Sequence, residues 1–484
     1  MTIDYRTKIT CHRYSPVAME AADVIEVNES NRESIVQSAA LRRLQQKTQV
    51  YPLETNSGMR SRLTHSLEVK QAGRSIARRI LARLHRQGEL GAVGLAGMES
   101  TFISLVEMSC LLHDIGNPPF GHFGETVISQ WLEKNALEIF VRSFGTKRTV
   151  PTLFAEKLLP DLICFEGNAQ GLRIIHSLQQ LNLTLCQIAA AQKYTRAAWQ
   201  AAPDPGDTFG YRQYKPGYYY SETDLVTTLT ERLNIQAGHR HPLVYIMESA
   251  DDISYCFADI EDALDKEIFS PAQLVVHLLA EWDIQCQNAG VAPGHYFSEG
   301  LKRITVENMT THVFMRRLRR WLLADMVDYA ACRYLDNHSA VYNGELDRPL
   351  MDGPAEPNIA LLTLKFVAQK CVFVKKEVTT PELRGHAALH GLLNIYRPLL
   401  DAPRPIFIEL SQQQVPGRLI GERLYRRLPA RYKEAYHKAV APAAVDTPEG
   451  DALEWYCRAR LLLDYLSGMT DAYALEEYQR LAAI

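Results

Sequence analysis

Two short stretches concentrate the polar side chains that could do chemistry. They are Arg62-Leu-Thr-His65-Ser and Leu111-Leu-His113-Asp114-Ile-Gly-Asn-Pro-Pro-Phe-Gly-His122-Phe-Gly-Glu125. Three histidines and two carboxylates fall in surroundings that are otherwise apolar or glycine-rich. Histidine and aspartate bind divalent metals, and an adjacent His-Asp pair can offer both donors to one ion. One inward histidine alone reads as a core residue bonded to a carbonyl. His113 and Asp114 together, followed by a tight glycine-proline loop, fit that account poorly.

A hard divalent ion asks for a further oxygen ligand. Glu248-Ser-Ala-Asp251-Asp252-Ile-Ser-Tyr255-Cys-Phe-Ala-Asp259 supplies one on an expected helix. Asp251 shares a stripe with Val244, Met247, Tyr255 and Ala258, whereas Asp252 lies with Tyr245, Glu248 and Asp259. Spacing therefore favours Asp251 as the ligand, against the competing account of a solvated acidic face. His122 and Glu125, three apart, emerge on one face if a helix opens after the proline loop. A glutamate there orients the imidazole and raises its pKa, which suits a general acid. The competing role for Glu125 is stabilisation of a helix N-terminus.

The elements that must position these groups are helical. His65 lies on the stripe Val69, Ala72, Ile76, Ile80, and His113 on that of Val106 and Cys110. Helical patterns cover 61–84, 102–112, 155–162, 171–192, 225–234, 243–266, 318–337, 358–375, 381–400 and 453–483. Strand alternation is scarce; 406–410 or 297–307 could supply a short hairpin. The expected fold is all-α.

Bulk properties narrow the class. The 484 residues exceed one small core and carry a formal net charge of −3, so no global field draws in nucleic acid. Basic runs at Arg316-Arg317-Leu-Arg319-Arg320 and Arg78, Arg79, Arg83, Arg86 read first as solvated faces or subunit contacts. Nine cysteines stand singly without a CxxC pair, as in a reducing compartment. No signal core opens the chain and no apolar run nears the ~20 residues a membrane helix needs. A cytoplasmic protein with no membrane association is expected.

The pattern His65, His113-Asp114, Asp251 resembles that of the HD-domain metal-dependent phosphohydrolases. Longer strings narrow the resemblance to the deoxyguanosine triphosphate triphosphohydrolase family. They are Arg42-Arg-Leu-Gln-Gln-Lys-Thr-Gln-Val50, His113 to Glu125, Phe165-Glu-Gly-Asn-Ala-Gln-Gly171, Lys193-Tyr-Thr-Arg196, Glu248 to Tyr255 and Leu463-Asp-Tyr-Leu-Ser-Gly-Met-Thr-Asp471. The resemblance implies an HD-domain helical core with an extended C-terminal helical layer and at most a minor β-hairpin. Residues 1–60 would contribute to the substrate site, 61–270 form the core, and 271–484 pack on it.

It also implies hydrolysis of dGTP to deoxyguanosine and inorganic triphosphate. One divalent ion per subunit, Mg²⁺ or Mn²⁺, would sit on His65, His113, Asp114 and Asp251. His122 and Glu125 would be the catalytic pair. Gln49, Tyr255 and Asp259 match sugar contacts; Arg62, Asn168, Lys193 and Tyr194 match phosphate contacts; Phe373, Glu382 and Arg423 match nucleoside contacts. Near Gln414 the family pattern has an arginine that this chain lacks. A homohexamer and a single-stranded DNA effector are the further expectations. Two other readings stand beside this one: an HD phosphohydrolase for other dNTPs or phosphomonoesters, and a dNTP- and DNA-sensing regulator without turnover. The proton-handling pair beside the ligands argues against the regulator.

Overall fold

The computed structural model describes residues 2–15, 23–146, 148–204, 206–305, 309–412, 419–441 and 447–483. Gln414 lies outside them. The helices that carry the argument are α1 (Val24–Gln37), α2 (Arg62–Gln87), α3 (Glu99–Leu112), α4 (Gly121–Phe144), α5 (Gly167–Arg173), α6 (Pro242–Asp265) and α7 (Pro271–Asn288). They continue with α8 (Thr311–Asp336), α9 (Glu356–Cys371), α10 (Lys376–Asp401), α11 (Leu419–Arg427), α12 (Pro448–Ser467) and α13 (Asp471–Ala482). Among the described residues the sheet is a two-stranded parallel contact of β1 (Arg196–Ala197) with β2 (Pro216–Tyr218). The fold is all-α, as the helical periods require.

Local chemistry sets the helix starts. Ser61 and Thr64 form a capping box at the head of α2, and Gly88 ends that helix in the left-handed conformation. Pro242 opens α6 behind the N-cap His241. Helix α2 packs on α3, α6 and α8, and α6 also packs on α3, α8 and α9. Their buried faces join one apolar core. A second layer follows in the chain: α10 packs on α4, α12 and α13, and α7 packs on α9.

Four sequence expectations change. The 406–410 stretch is helical (Arg404–Ser411), because Pro405 fits a helix start and Phe407 and Leu410 are buried three apart. The described part of 297–307 is also helical, with Phe297, Gly300, Leu301 and Ile304 buried along one face. The 171–192 pattern breaks into α5, a π-helical turn at Ile174–Leu178, a loop and a helix at Leu185–Ala191. Gln180 and Asn182 take positive φ in that loop. The 453–483 pattern splits into α12 and α13, where Thr470 caps the second helix.

Three arginines of the basic runs pair within the fold, while Arg78, Arg86, Arg316, Arg317 and Arg320 are exposed. Arg79 and Arg83 pair with Asp328 at 2.9 and 2.8 Å, and Arg319 pairs with Glu261 at 2.7 Å. Helix α12 is bound to the core by ion pairs: Asp464 holds Arg173 at 2.7 Å, and Arg460 pairs with Asp161. Among the described residues no single helix is long and apolar enough to cross a membrane.

Gly73 marks the helix crossing that matters most. A Cβ there would stand 2.6 Å from Cys110 Sγ, 3.1 Å from Val106 and 3.6 Å from Ala250. Gly73→Val is therefore expected to lower stability by about 1–3 kcal/mol. Because it pushes α2 away from α3 and α6, it should also weaken Mn²⁺ binding. Denaturant unfolding and metal titration check this; wild-type values in both would contradict the crossing as described.

Candidate functional site

His65 projects from the first turn of α2, fully buried. His113 terminates α3, and Asp251 lies mid-way along α6. Each offers a donor atom, and these atoms all lie within 4.8 Å of one another. His65 Nε2 is 3.3 Å from Asp251 Oδ1, and His113 Nε2 is 3.4 Å from the same oxygen. His113 Nδ1 donates to the Cys110 carbonyl at 2.7 Å. That bond leaves Nε2 as the ligating lone pair, the arrangement in which a neighbouring acceptor sets the tautomer of a metal-binding histidine.

Asp114 stands beside the three donors, 3.6 Å from His113 Nε2. Its Oδ2 accepts from Arg62 at 2.6 Å and its Oδ1 from Asn117 at 2.6 Å. Three converging donors with Asp114 beside them fit a divalent metal ion. Burial alone would lower the His113 pKa, but Asp114 and Asp251 override it and raise it to about 9. Burial would raise Asp251, but His113 and Lys193 hold its carboxyl well below the ordinary range.

His113, Asp114 and Asp251 line a cavity of about 490 Å³, ample for a nucleotide-sized ligand. Eight of the ten expected substrate residues line it: Gln49, Arg62, Asn168, Lys193, Tyr194, Tyr255, Phe373 and Glu382. Asp259 does not reach the wall. It is fully buried one turn beyond Tyr255 on α6, where burial and Asp262 push its carboxyl well above the ordinary range. Arg423 is exposed on α11 and is not part of the wall. The structure thus brings neither of these two expected contacts to the cavity.

Sequence reasoning misses Lys215, Lys365 and Asp252, all on the wall. Lys215 sits in a Lys-Pro-Gly loop whose sequence signals only a turn. Lys365 lies on α9, and nothing in its spacing singles it out. Spacing groups Asp252 with Tyr245, Glu248 and Asp259, which are buried off the wall, whereas Asp252 itself lies on the wall beside Asp251 and Tyr255.

His122 lies in the first turn of α4 with its side chain 70% exposed towards the cavity. Its Nδ1 donates to Glu125 Oε2 at 2.8 Å. Glu125 is buried, and its other oxygen accepts the Gly167 N–H at 2.9 Å. The hydrogen bond and charge of Glu125 raise the His122 pKa against burial and the nearby Lys215 and Arg62. Gly121 is required ahead of it: φ is +56°, and a Cβ would stand 2.4 Å from Arg62 Nη2. Lys193 is 3.4 Å from Asp251 and Lys215 is 3.2 Å from Glu166. Tyr255 and Phe373 stand with ring centroids 6.3 Å apart.

Residues 62–158 match the HD domain, and residues 410–480 match the phosphohydrolase-associated domain. Two proteins named deoxyguanosinetriphosphate triphosphohydrolase, from two strains of Klebsiella pneumoniae, are each 41% identical over 507 aligned residues. The alignments cover 100% of this chain and 99% of each relative. The chain belongs to the deoxyguanosinetriphosphate triphosphohydrolase family. It is a metal-dependent hydrolase of the HD class. The HD match in this triphosphohydrolase family member holds His65, His113, Asp114, His122 and Glu125, whereas Asp251 lies beyond it and is delivered by α6.

An ion must displace the His113 proton to bind. Since that pKa is about 9 in the metal-free protein, Mn²⁺ affinity should climb as pH rises from 6.5 and level off above about 9. In the metal-free state the sign for stability is opposite. The raised pKa stabilises the fold fully below about 6.5, and the contribution fades as pH rises through about 9. Calorimetry in buffers of differing ionisation enthalpy checks the proton release; a pH-independent Kd would contradict it.

Proposed function

We propose that the protein hydrolyses dGTP to deoxyguanosine and inorganic triphosphate. One observation carries the reading: His113, Asp114 and Asp251, against which His65 packs, line the same cavity as His122, which Glu125 backs, alongside Arg62, Lys193, Lys215 and Lys365. A polyanionic tail needs such local cations because the chain as a whole is slightly acidic. The names of the 41% identical relatives support the substrate.

A divalent ion held by His65, His113, Asp114 and Asp251 would supply Lewis-acid polarisation of the α-phosphoryl group and activation of a water. The residues of the chain do the rest. Arg62, Lys193, Lys215 and Asn168 bind and orient the triphosphate. The water oxygen bonds to the α-phosphorus and the Pα–O5′ bond breaks. His122 gives its proton to the departing 5′-oxygen, and Glu125 holds the ring and stabilises the imidazolium before transfer. Tyr255 lies under the sugar, where a 2′-hydroxyl would meet its ring, and Phe373, Gln49 and Glu382 face the nucleoside. Asp259, behind Tyr255, acts through that ring. The same reading, on the family resemblance, includes a cytoplasmic homohexamer, a single-stranded DNA effector, and division of the chain at about residues 60 and 270.

Incubation of the purified protein with each of the four dNTPs and Mg²⁺ or Mn²⁺, with product identification, tests the reaction. Intact triphosphate from dGTP is the expected product; orthophosphate or pyrophosphate would overturn it. His122→Ala should lower kcat by about 10²–10⁴-fold. Glu125→Gln removes the cause of the raised His122 pKa. The acid must be protonated, so activity falls as pH rises through that pKa, and the alkaline limb should move to lower pH in the variant. Tyr255→Ala should narrow the preference for dGTP over GTP; an unchanged ratio removes Tyr255 from sugar selection.

A further inference from the structure

The motif Leu463 to Asp471 has no role in the chemistry above, yet its last residue reaches the catalytic cavity from behind. Asp471 opens α13, and its side chain is buried. An acid at a helix start ordinarily stabilises that helix. Here Thr470 caps the helix, and the Asp471 oxygens serve two other segments. Oδ1 accepts the Phe120 N–H at 3.0 Å. Oδ2 accepts the Thr48 N–H at 3.1 Å and the Thr48 hydroxyl at 2.6 Å.

Both segments are cavity walls. Phe120, Gly121 and His122 form one, and Thr48, Gln49 and Val50 the other. Phe120 takes φ of +63°, a conformation that bulky side chains adopt only when their surroundings enforce it. Its backbone N–H is fixed by Asp471, and its ring fills the space where Gly385 of α10 has no Cβ. The turn it makes starts α4, whose second residue is His122. Lys47 extends the same joint, donating to the Asn117 and Ser467 carbonyls.

We infer that Asp471 is a positioning residue for the His122 proton donor, acting by clamping the Phe120 turn to the Thr48 segment. The inference rests on His122 as the acid of the proposed reaction. An amide at 471 has one acceptor oxygen, and its NH₂ would face an N–H donor on the other side, so one of the two clamps must open.

The test is a double-mutant cycle in the full-length protein with dGTP and Mn²⁺. Asp471→Asn is expected to lower kcat about 10- to 100-fold, with Mn²⁺ affinity unchanged. Added to His122→Ala it should lower kcat no further, because the residue it orients is gone. If Asp471→Asn fails to fold, Thr48→Val, which removes only the hydroxyl bond, carries the same cycle with a smaller effect. Wild-type kcat in the single variant, multiplicative effects in the double, or a parallel fall in Mn²⁺ affinity would each overturn the positioning role. Undiminished turnover in His122→Ala would instead overturn the acid assignment, and this inference with it.

Discussion

The donor cluster exists only because three helices approach closely at Gly73. His65 and Asp251 are 186 residues apart in the chain, so no local rule brings them together. What does is the small contact surface at the crossing: a glycine on α2, Cys110 on α3 and Ala250 on α6. Cys110 is three residues before His113, and Ala250 adjoins Asp251. The contacts that set the helix spacing are therefore almost the contacts that set the donor spacing. Close packing transmits any added volume there directly to the site, since the surrounding core has few voids to absorb it.

Buried charge is the second constraint. Arg62 faces Asp114, Lys193 faces Asp251, Lys215 faces Glu166 and His122 faces Glu125. In this state each cation is balanced by a carboxylate, which keeps the desolvation penalty tolerable. A divalent ion and a triphosphate bring opposite charges of their own. Metal binding at Asp251 would free Lys193 for an anion, and the His113 imidazolium would give way to the ion.

Much of this is legible in the residues. His65, His113 and Asp251 declare themselves because each interrupts an apolar helical stripe with a costly polar group. His122 and Glu125 declare themselves by spacing behind a proline loop. Lys215 and Lys365 do not, because a lysine on a loop or a helix surface looks solvated until the facing element is known. Asp252 is hidden by its companions in spacing, Tyr245, Glu248 and Asp259, which are buried, while Asp252 stands at the wall beside Asp251 and Tyr255. Asp259 and Arg423 show the converse: expected from the family resemblance, they stand off the cavity wall. A residue in register with site residues need not share their exposure, and Asp259, two turns beyond Asp251, has already passed beneath the surface. The helix breaks at Gln180 to Thr184 and at Gly468 to Thr470 are hidden because apolar periods run on across them, while loop conformation and capping decide the ends.

The C-terminal segment reaches His122 by two separate routes. Asp464 on α12 binds Arg173 and Gln170 on α5, and the first residue of α5, Gly167, donates its N–H to Glu125. Glu125 in turn orients His122. Asp471 reaches the same histidine from the other end, through Phe120. Both anchors come from far along the chain, Asp471 lying 351 residues beyond Phe120 and Asp464 lying 294 beyond Gln170, and both aspartates are themselves buried. One route fixes the carboxylate behind the imidazole; the other fixes the backbone in front of it. An imidazole that is largely exposed has little packing to hold it, so its direction must come from bonds to buried groups. The His122 ring is therefore only as well aimed as α12 and α13 are well docked, which makes the last helices of the chain part of the geometry of the cavity.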